Sequence, residues 1–309
     1  MNASTLVVLM LIFSVSHMSE SLQPAPTRFT IETWNVDSNQ PDPDMAALCI
    51  AETQGVHLWG LEGVQDARWA EMFRVAAAER GQLGMTGVLS PTRGSNRLLI
   101  LYDPRLFDLV RFFELDWEGE PWRTPDIALR PALVAQLRHF ATGQELLFMV
   151  NSLHPNWAAR QSERLAKWIR GQSLPVIAVG TYWFQYNLGP RPLRCRGQAG
   201  LSSLLVDGGV HWVIPEELVK TYKGPCNTIE DFVFLANAGG RIYGQSRIVV
   251  GPDNFEDRRL TGSHRPVRAT FTIVPSTPEG QLQRRIRQQL LRVKTEMNEL
   301  EALIRQLPK

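Results

Sequence analysis

The chain has 309 residues, 44% of them hydrophobic and 21% charged, a composition that suits a packed core and excludes a disordered or fibrous chain. Lys and Arg total 33 against 31 Asp and Glu, a net charge of +2. There is no strong nucleic-acid signal, and any contact with a polyanion must be local. Three cysteines are too few for a disulfide scaffold and show no zinc spacing.

Residues 6–15 form an apolar run of signal-peptide length, followed by a polar stretch over 16–26. The first five residues lack the usual Lys or Arg. Residues 1–26 therefore read as a signal peptide or membrane anchor plus linker, the alternative being a buried strand. An export segment implies a periplasmic, extracellular or membrane-anchored protein, touching the membrane only through this segment if it is uncleaved. Nothing after residue 16 is apolar for long enough to span a bilayer. Export permits a disulfide, and Cys195 with Cys226 is the pair to test. Cys49 sits in a helical pattern with Met45 and Leu48 and belongs to a core.

Residues 29–36 alternate and are rich in β-branched and aromatic types, so they predict a strand. The turn Pro41-Asp42-Pro43-Asp44 leads into a helix over 44–54. A strand over 57–64, a helix over 67–80 and strands over 97–102, 107–115, 131–139 and 145–153 follow. An amphipathic helix over 160–170 carries Leu165, Trp168 and Ile169 on one face. Residues 175–180 form an apolar run of central-strand type, and late strands occupy 230–236 and 268–274. Strands and helices thus alternate in two successive halves. The expected architecture is α/β, a four-layer sandwich of two packed mixed sheets flanked by helices, spanning 27–274.

Residues 275–309 differ. Thr277 and Pro278 suit a helix start. Ile286, Leu290, Val293, Met297, Leu300, Ile304 and Leu307 then recur at steps of 4 and 3. This a/d pattern reads either as a coiled coil for self-association through 276–309 or as one helix docked on its own domain.

Six segments follow in a fixed order: Glu32-Thr33-Trp34-Asn35-Val36; Trp59-Gly60-Leu61-Glu62-Gly63-Val64; Val150-Asn151-Ser152-Leu153; Val179-Gly180-Thr181-Tyr182-Trp183; Glu230-Asp231-Phe232-Val233-Phe234; and Ser263-His264-Arg265-Pro266-Val267. Together they resemble the endonuclease/exonuclease/phosphatase superfamily of deoxyribonuclease-like phosphodiesterases, over roughly residues 28–274. The resemblance implies hydrolysis of phosphate esters with Mg²⁺, a hard cation that prefers carboxylate oxygens, and a His–Asp pair for proton handling. On it, Asn35 fits an amide that helps hold metal, while His264 and Asp231 fit the catalytic pair.

Other family positions are substituted. Gly63 stands at the metal-binding Glu, Ser152 at a His, Thr181 at an Asp, Trp183 at an Asn, and Ser263 at the Asp preceding His264. Glu62 is one residue from Gly63, and neighbouring strand residues face opposite ways, so it can serve only if the strand slips or bulges. His154 lies two residues past Ser152. The expectation is a catalytically impaired pseudoenzyme acting as a binding or scaffold module for an anion or phosphorylated ligand, with no cofactor. The alternative is an active Mg²⁺-dependent phosphodiesterase with ligands relocated among Glu62, His154, Asp37, Asp66 and Glu230. A third reading is an oligomer whose C-terminal helix is the functional part.

Overall fold

The computed structural model describes residues 26–36, 42–78, 84–92, 96–115, 130–189, 199–250 and 263–275. The N-terminal segment, Asp37, Cys195 and the heptad segment 276–309 lie outside them.

Two six-stranded mixed sheets pack face to face. The first has the order β11-β12-β1-β2-β4-β3, from β1 (Thr27–Asn35), β2 (Leu58–Val64), β3 (Thr86–Leu89), β4 (Arg97–Tyr102), β11 (Ile242–Ile248) and β12 (Val267–Ile273). The second has the order β5-β6-β7-β8-β10-β9, from β5 (Phe107–Leu115), β6 (Ala132–His139), β7 (Glu145–Ser152), β8 (Val176–Asn187), β9 (His211–Trp212) and β10 (Thr228–Ala236). The pairs β1/β2 and β7/β8 are parallel, and each is bridged by a helix-containing crossover.

The expected helices are present. Helix α1 (Pro43–Glu52) starts where Asp42 accepts from the Asp44 and Met45 amides at 3.1 Å, with Pro43 in the first turn. Helix α2 (Ala67–Ala78) joins α1 over the outer face of the first sheet, where Trp34, Ile50, Trp59, Leu61 and Phe73 form one core. Helix α3 (Ala158–Arg170) buries Leu165, Ala166 and Ile169 in the main core, which also fills the space between the sheets. A short turn of helix, α4 (Ala199–Ser202), runs into a π-helical turn, Ser203–Asp207. Among the described residues no helix is long and apolar enough to cross a membrane.

Strand alternation fixes which residues can meet. A Cβ on Gly60 would lie 2.7 Å from Val179 and 2.9 Å from Val150 of the second sheet, so Gly60 lets the two sheets come close. Residues two apart share a face, which turns Glu62 inward as well.

The apolar run predicts a strand ending at residue 180, but β8 runs on to Asn187. The strands β3, β9 and β11 are additions to the expected set. Cys49 is a free thiol on α1, packed against the outer core. Cys226 is disulfide-bonded.

Candidate active site

The ends of strands from both sheets converge at one end of the sandwich. Asn35 closes β1 and pairs in register with Glu62 on β2. Thr181 lies on β8, Asp231 on β10 and Ser152 at the end of β7. His264 precedes β12 and is pinned from outside by Trp34, whose Nε1 donates to the His264 carbonyl at 3.0 Å. The structure thus brings Asn35, Thr181, Asp231 and His264 into one cluster.

Glu62 requires a correction. It does not face away from this cluster. Next to it β2 bulges: Leu61 pairs with Leu99 but Val64 with Arg97, so one extra residue is inserted opposite β4. Gly63 carries φ +80°, the left-handed conformation that such a bulge demands and that glycine adopts without penalty. Glu62, in alternation with Leu58 and Gly60, points into the cluster, and the bulge after it returns Val64 to the outer core.

The hydrogen bonds form a closed set centred on Thr181. Its amide donates to Glu62 Oε1 at 2.9 Å, and its hydroxyl to Asp231 Oδ1 at 2.7 Å, with Glu62 Oε1 at 3.3 Å. Asn35 Nδ2 donates to the same hydroxyl oxygen at 3.1 Å. His264 Nδ1 bonds both Asp231 oxygens, at 2.9 and 3.1 Å. Because a carboxylate can only accept, that nitrogen carries the proton. The position of Thr181 is set by Gly180, whose φ is +125° and whose added Cβ would fall 2.0 Å from the Asn151 carbonyl oxygen. Gly180→Ala should therefore cost at least about 3 kcal/mol, read as a lower urea midpoint.

Burial sets the charge states. Glu62 is fully buried, and desolvation together with the nearby Asp231 charge raises its pKa to about 8, against the opposing pull of His264. It is therefore largely protonated at neutral pH. Its Oε2 makes no hydrogen bond of good geometry, although the Ser152 hydroxyl lies close enough to favour the ionised form slightly. Burial pulls the His264 pKa down, but the charge and hydrogen bond of Asp231, aided by Glu62 and Glu230, outweigh it and the net shift is upward.

Two rings cover His264, which is only 2% exposed. The Tyr222 ring lies 4.8 Å away, and Trp183 meets it edge-on at 5.8 Å, the two covering rings being 5.5 Å apart. Trp183 holds φ +55°, a region that Asn and Gly enter easily and a large aromatic rarely does. This is the position at which the family resemblance places an Asn.

The remaining candidates lie elsewhere. His154 sits in the turn entering α3, its Nδ1 accepting from the Asn156 amide. Asp66 accepts from the Trp69 amide at 2.9 Å and starts α2. Glu230 is buried and bonded to Gln185 and Thr228, not to the Thr181 cluster. Ser263 contributes its carbonyl, which accepts from the Lys223 amide. Two functional candidates escaped the sequence reading. Arg130 donates to Ser152 Oγ at 3.0 Å, and Tyr222 covers His264. An arginine before a proline and a tyrosine in a loop carry no local pattern that would mark them. Among the described residues no group of three or more His, Cys, Asp and Glu side chains is arranged to hold a metal ion.

No family model and no curated protein matches the sequence. Solved structures do match the fold. An endonuclease/exonuclease/phosphatase family protein from Bacteroides thetaiotaomicron aligns with TM-score 0.59 and 13% identity, covering 81% of this chain and 99% of that one. A mannosyl-6-phosphatase from the same organism aligns with TM-score 0.57 and 15% identity, over 79% and 99%. The human Nocturnin catalytic domain, with a bound sulfate anion, aligns with TM-score 0.56 and 12% identity, over 82% and 96%. The sandwich is thus the endonuclease/exonuclease/phosphatase fold.

Proposed function

We propose that this chain is a catalytically impaired relative of the endonuclease/exonuclease/phosphatase hydrolases, a pseudoenzyme that serves as a binding or scaffold module. One observation carries the reading. The histidine that would have to touch a scissile phosphate is 2% exposed and lies beneath Trp183 and Tyr222.

The donor set argues the same way against the Mg²⁺ that the resemblance implies. Both Asp231 oxygens are engaged by His264, and the Asn35 amide and Thr181 hydroxyl are turned on each other. Glu62 Oε2 is the one carboxylate oxygen left over in the cluster, on a group that is largely neutral at pH 7. A hard cation needs ionised oxygens to offset its lost hydration, so these residues do not fit it.

Next to the cluster stands a positive group: Arg130, bonded to Ser152, suits an anionic or phosphorylated ligand bound without metal, and the sulfate held by Nocturnin is consistent with anion binding on this fold. Export or anchoring through 1–26 and self-association through 276–309 belong to the same proposal. The disulfide at Cys226 supports export, since such bonds persist in oxidising compartments.

The test is hydrolysis of bis-p-nitrophenyl phosphate with Mg²⁺, before and after chelation. No chelator-sensitive turnover is expected, and titration calorimetry should find no stoichiometric Mg²⁺ site. Metal-dependent turnover that disappears in His264→Ala would establish the active-enzyme alternative, with Glu62 as the relocated ligand.

A further inference from the structure

The half of the first sheet formed by β11, β12 and β1 turns a polar face outward. A groove of about 440 Å³ lies over it, walled by Gln54-Gly55 after α1 and by Glu216, whose amide bonds the Ser246 carbonyl at the sheet edge. Its floor is two rows read straight from the strand register. One row is Gln245, Thr270 and Thr30; the next is Arg247, Arg268 and Glu32.

The second row is unusual in its charge. Arg247 and Arg268 stand directly opposite each other on neighbouring antiparallel strands, a like-charge pairing that is unfavourable when nothing lies between the charges. Glu32, only 2% exposed, holds Arg268 through its Nε at 2.5 Å. That single carboxylate faces two guanidinium groups, and the terminal nitrogens of Arg268 make no hydrogen bond to a described residue. Arg247 is exposed and makes no hydrogen bond or ion pair with a described residue. Beside this pair the Thr30 and Thr270 hydroxyls, 3.2 Å apart, and the Gln245 amide offer neutral donors and acceptors. A solvated antiparallel face commonly alternates polar with apolar residues, but it has no need to put two arginines in one register position over a walled hollow.

From this juxtaposition we propose that the groove is a second binding site, separate from the Thr181 cluster, for a small hydroxylated molecule bearing one oxyanion. The anion lies between Arg247 and the free edge of Arg268, and the hydroxyl groups of the ligand lie along the Thr30–Thr270–Gln245 row. Arg268 is pre-oriented by Glu32, so little side-chain freedom is lost on binding.

The test is titration calorimetry of the full chain with glucose 6-phosphate and with glucuronate as probes, which separate a phosphate from a carboxylate. Saturable binding of at least one is expected in the Arg130→Ala background, which removes the guanidinium bonded to Ser152, and adding Arg247→Ala should weaken it at least ten-fold. Arg247 is exposed, so its replacement should not disturb folding, and matching thermal midpoints for the variant and the parent will check this. Failure of both probes to bind at 10-millimolar order concentrations, or binding that survives Arg247→Ala, overturns the proposal. Binding lost only in Arg130→Ala would assign the anion to the central cleft instead.

Discussion

Replacing Glu62 by Gln should remove a fall in stability that the unaltered chain shows as pH rises. The buried carboxyl keeps its proton to about pH 8, while in the unfolded chain it loses that proton near 4.5. Between those values the unfolded state binds fewer protons than the folded one, so stability declines with rising pH and levels off above the folded pKa. From pH 5 to 8 this single group is worth up to about 4 kcal/mol, or on the order of 10 °C in melting temperature. Around it stand Asp231, which raises its pKa, and His264, Ser152 and Thr181, which lower it. The upward shift of His264 acts in the same direction. Its stabilisation is complete below about 6.5 and is lost as pH passes its folded pKa. His57 and His139 act oppositely at the acid side. Burial lowers both pKa values, so their contribution is present above about 6.5 and fades below it. The informative quantity is therefore the difference between Glu62→Gln and the parent across the pH range, from urea titrations at each pH. A constant difference would mean that Glu62 is ionised in the fold, and the case for a metal ligand there would revive.

Asp231→Ala should be among the most damaging substitutions of a polar residue in the chain. It leaves His264 and the Thr181 hydroxyl without their acceptor in a place water does not reach. Removing one partner of a buried charged pair costs about 3–5 kcal/mol, a loss of roughly 10 °C in melting temperature. Asn35→Ala removes one neutral hydrogen bond to the same hydroxyl and should cost about 1 kcal/mol. Denaturant midpoints for the two variants decide the matter. Equal losses would show that the His264–Asp231 pair is not the anchor of the cluster.

Much of the architecture was visible in the sequence because its strands are long, apolar and bounded by turn residues. The tracts that became β7 and the first half of β8 are buried at nearly every position. The strand β11 was missed for the converse reason. Its outward residues are Tyr243, Gln245 and Arg247, and Gly244 leaves an inward position without a side chain to bury, so no apolar alternation marks it. Asn35, Asp231 and His264 stand out only through the order of the six segments; by residue type alone a strand-end Asn is a turn former and a lone His a structural residue. At Glu62 the family pattern misleads: alternation from Leu58 and Gly60 turns Glu62 inward, whereas the motif puts the metal-binding position one residue later, at Gly63. The left-handed turn at Trp183 is equally silent, since the tract Tyr182-Trp183-Phe184 carries no Gly or Asn to mark it.

The pairing of Thr27 with Ile273 in the first sheet has a consequence for biosynthesis. Every strand of the second sheet is translated between the two members of that pair. A nascent chain can therefore complete the second sheet while β1 still presents a bare edge, and it cannot seal that edge until the last described strand has left the ribosome. Contacts so distant in sequence form slowly. Chains interrupted before residue 267 would carry an open, apolar strand ready to pair with a neighbour, so premature termination should yield insoluble material and not a shortened working domain.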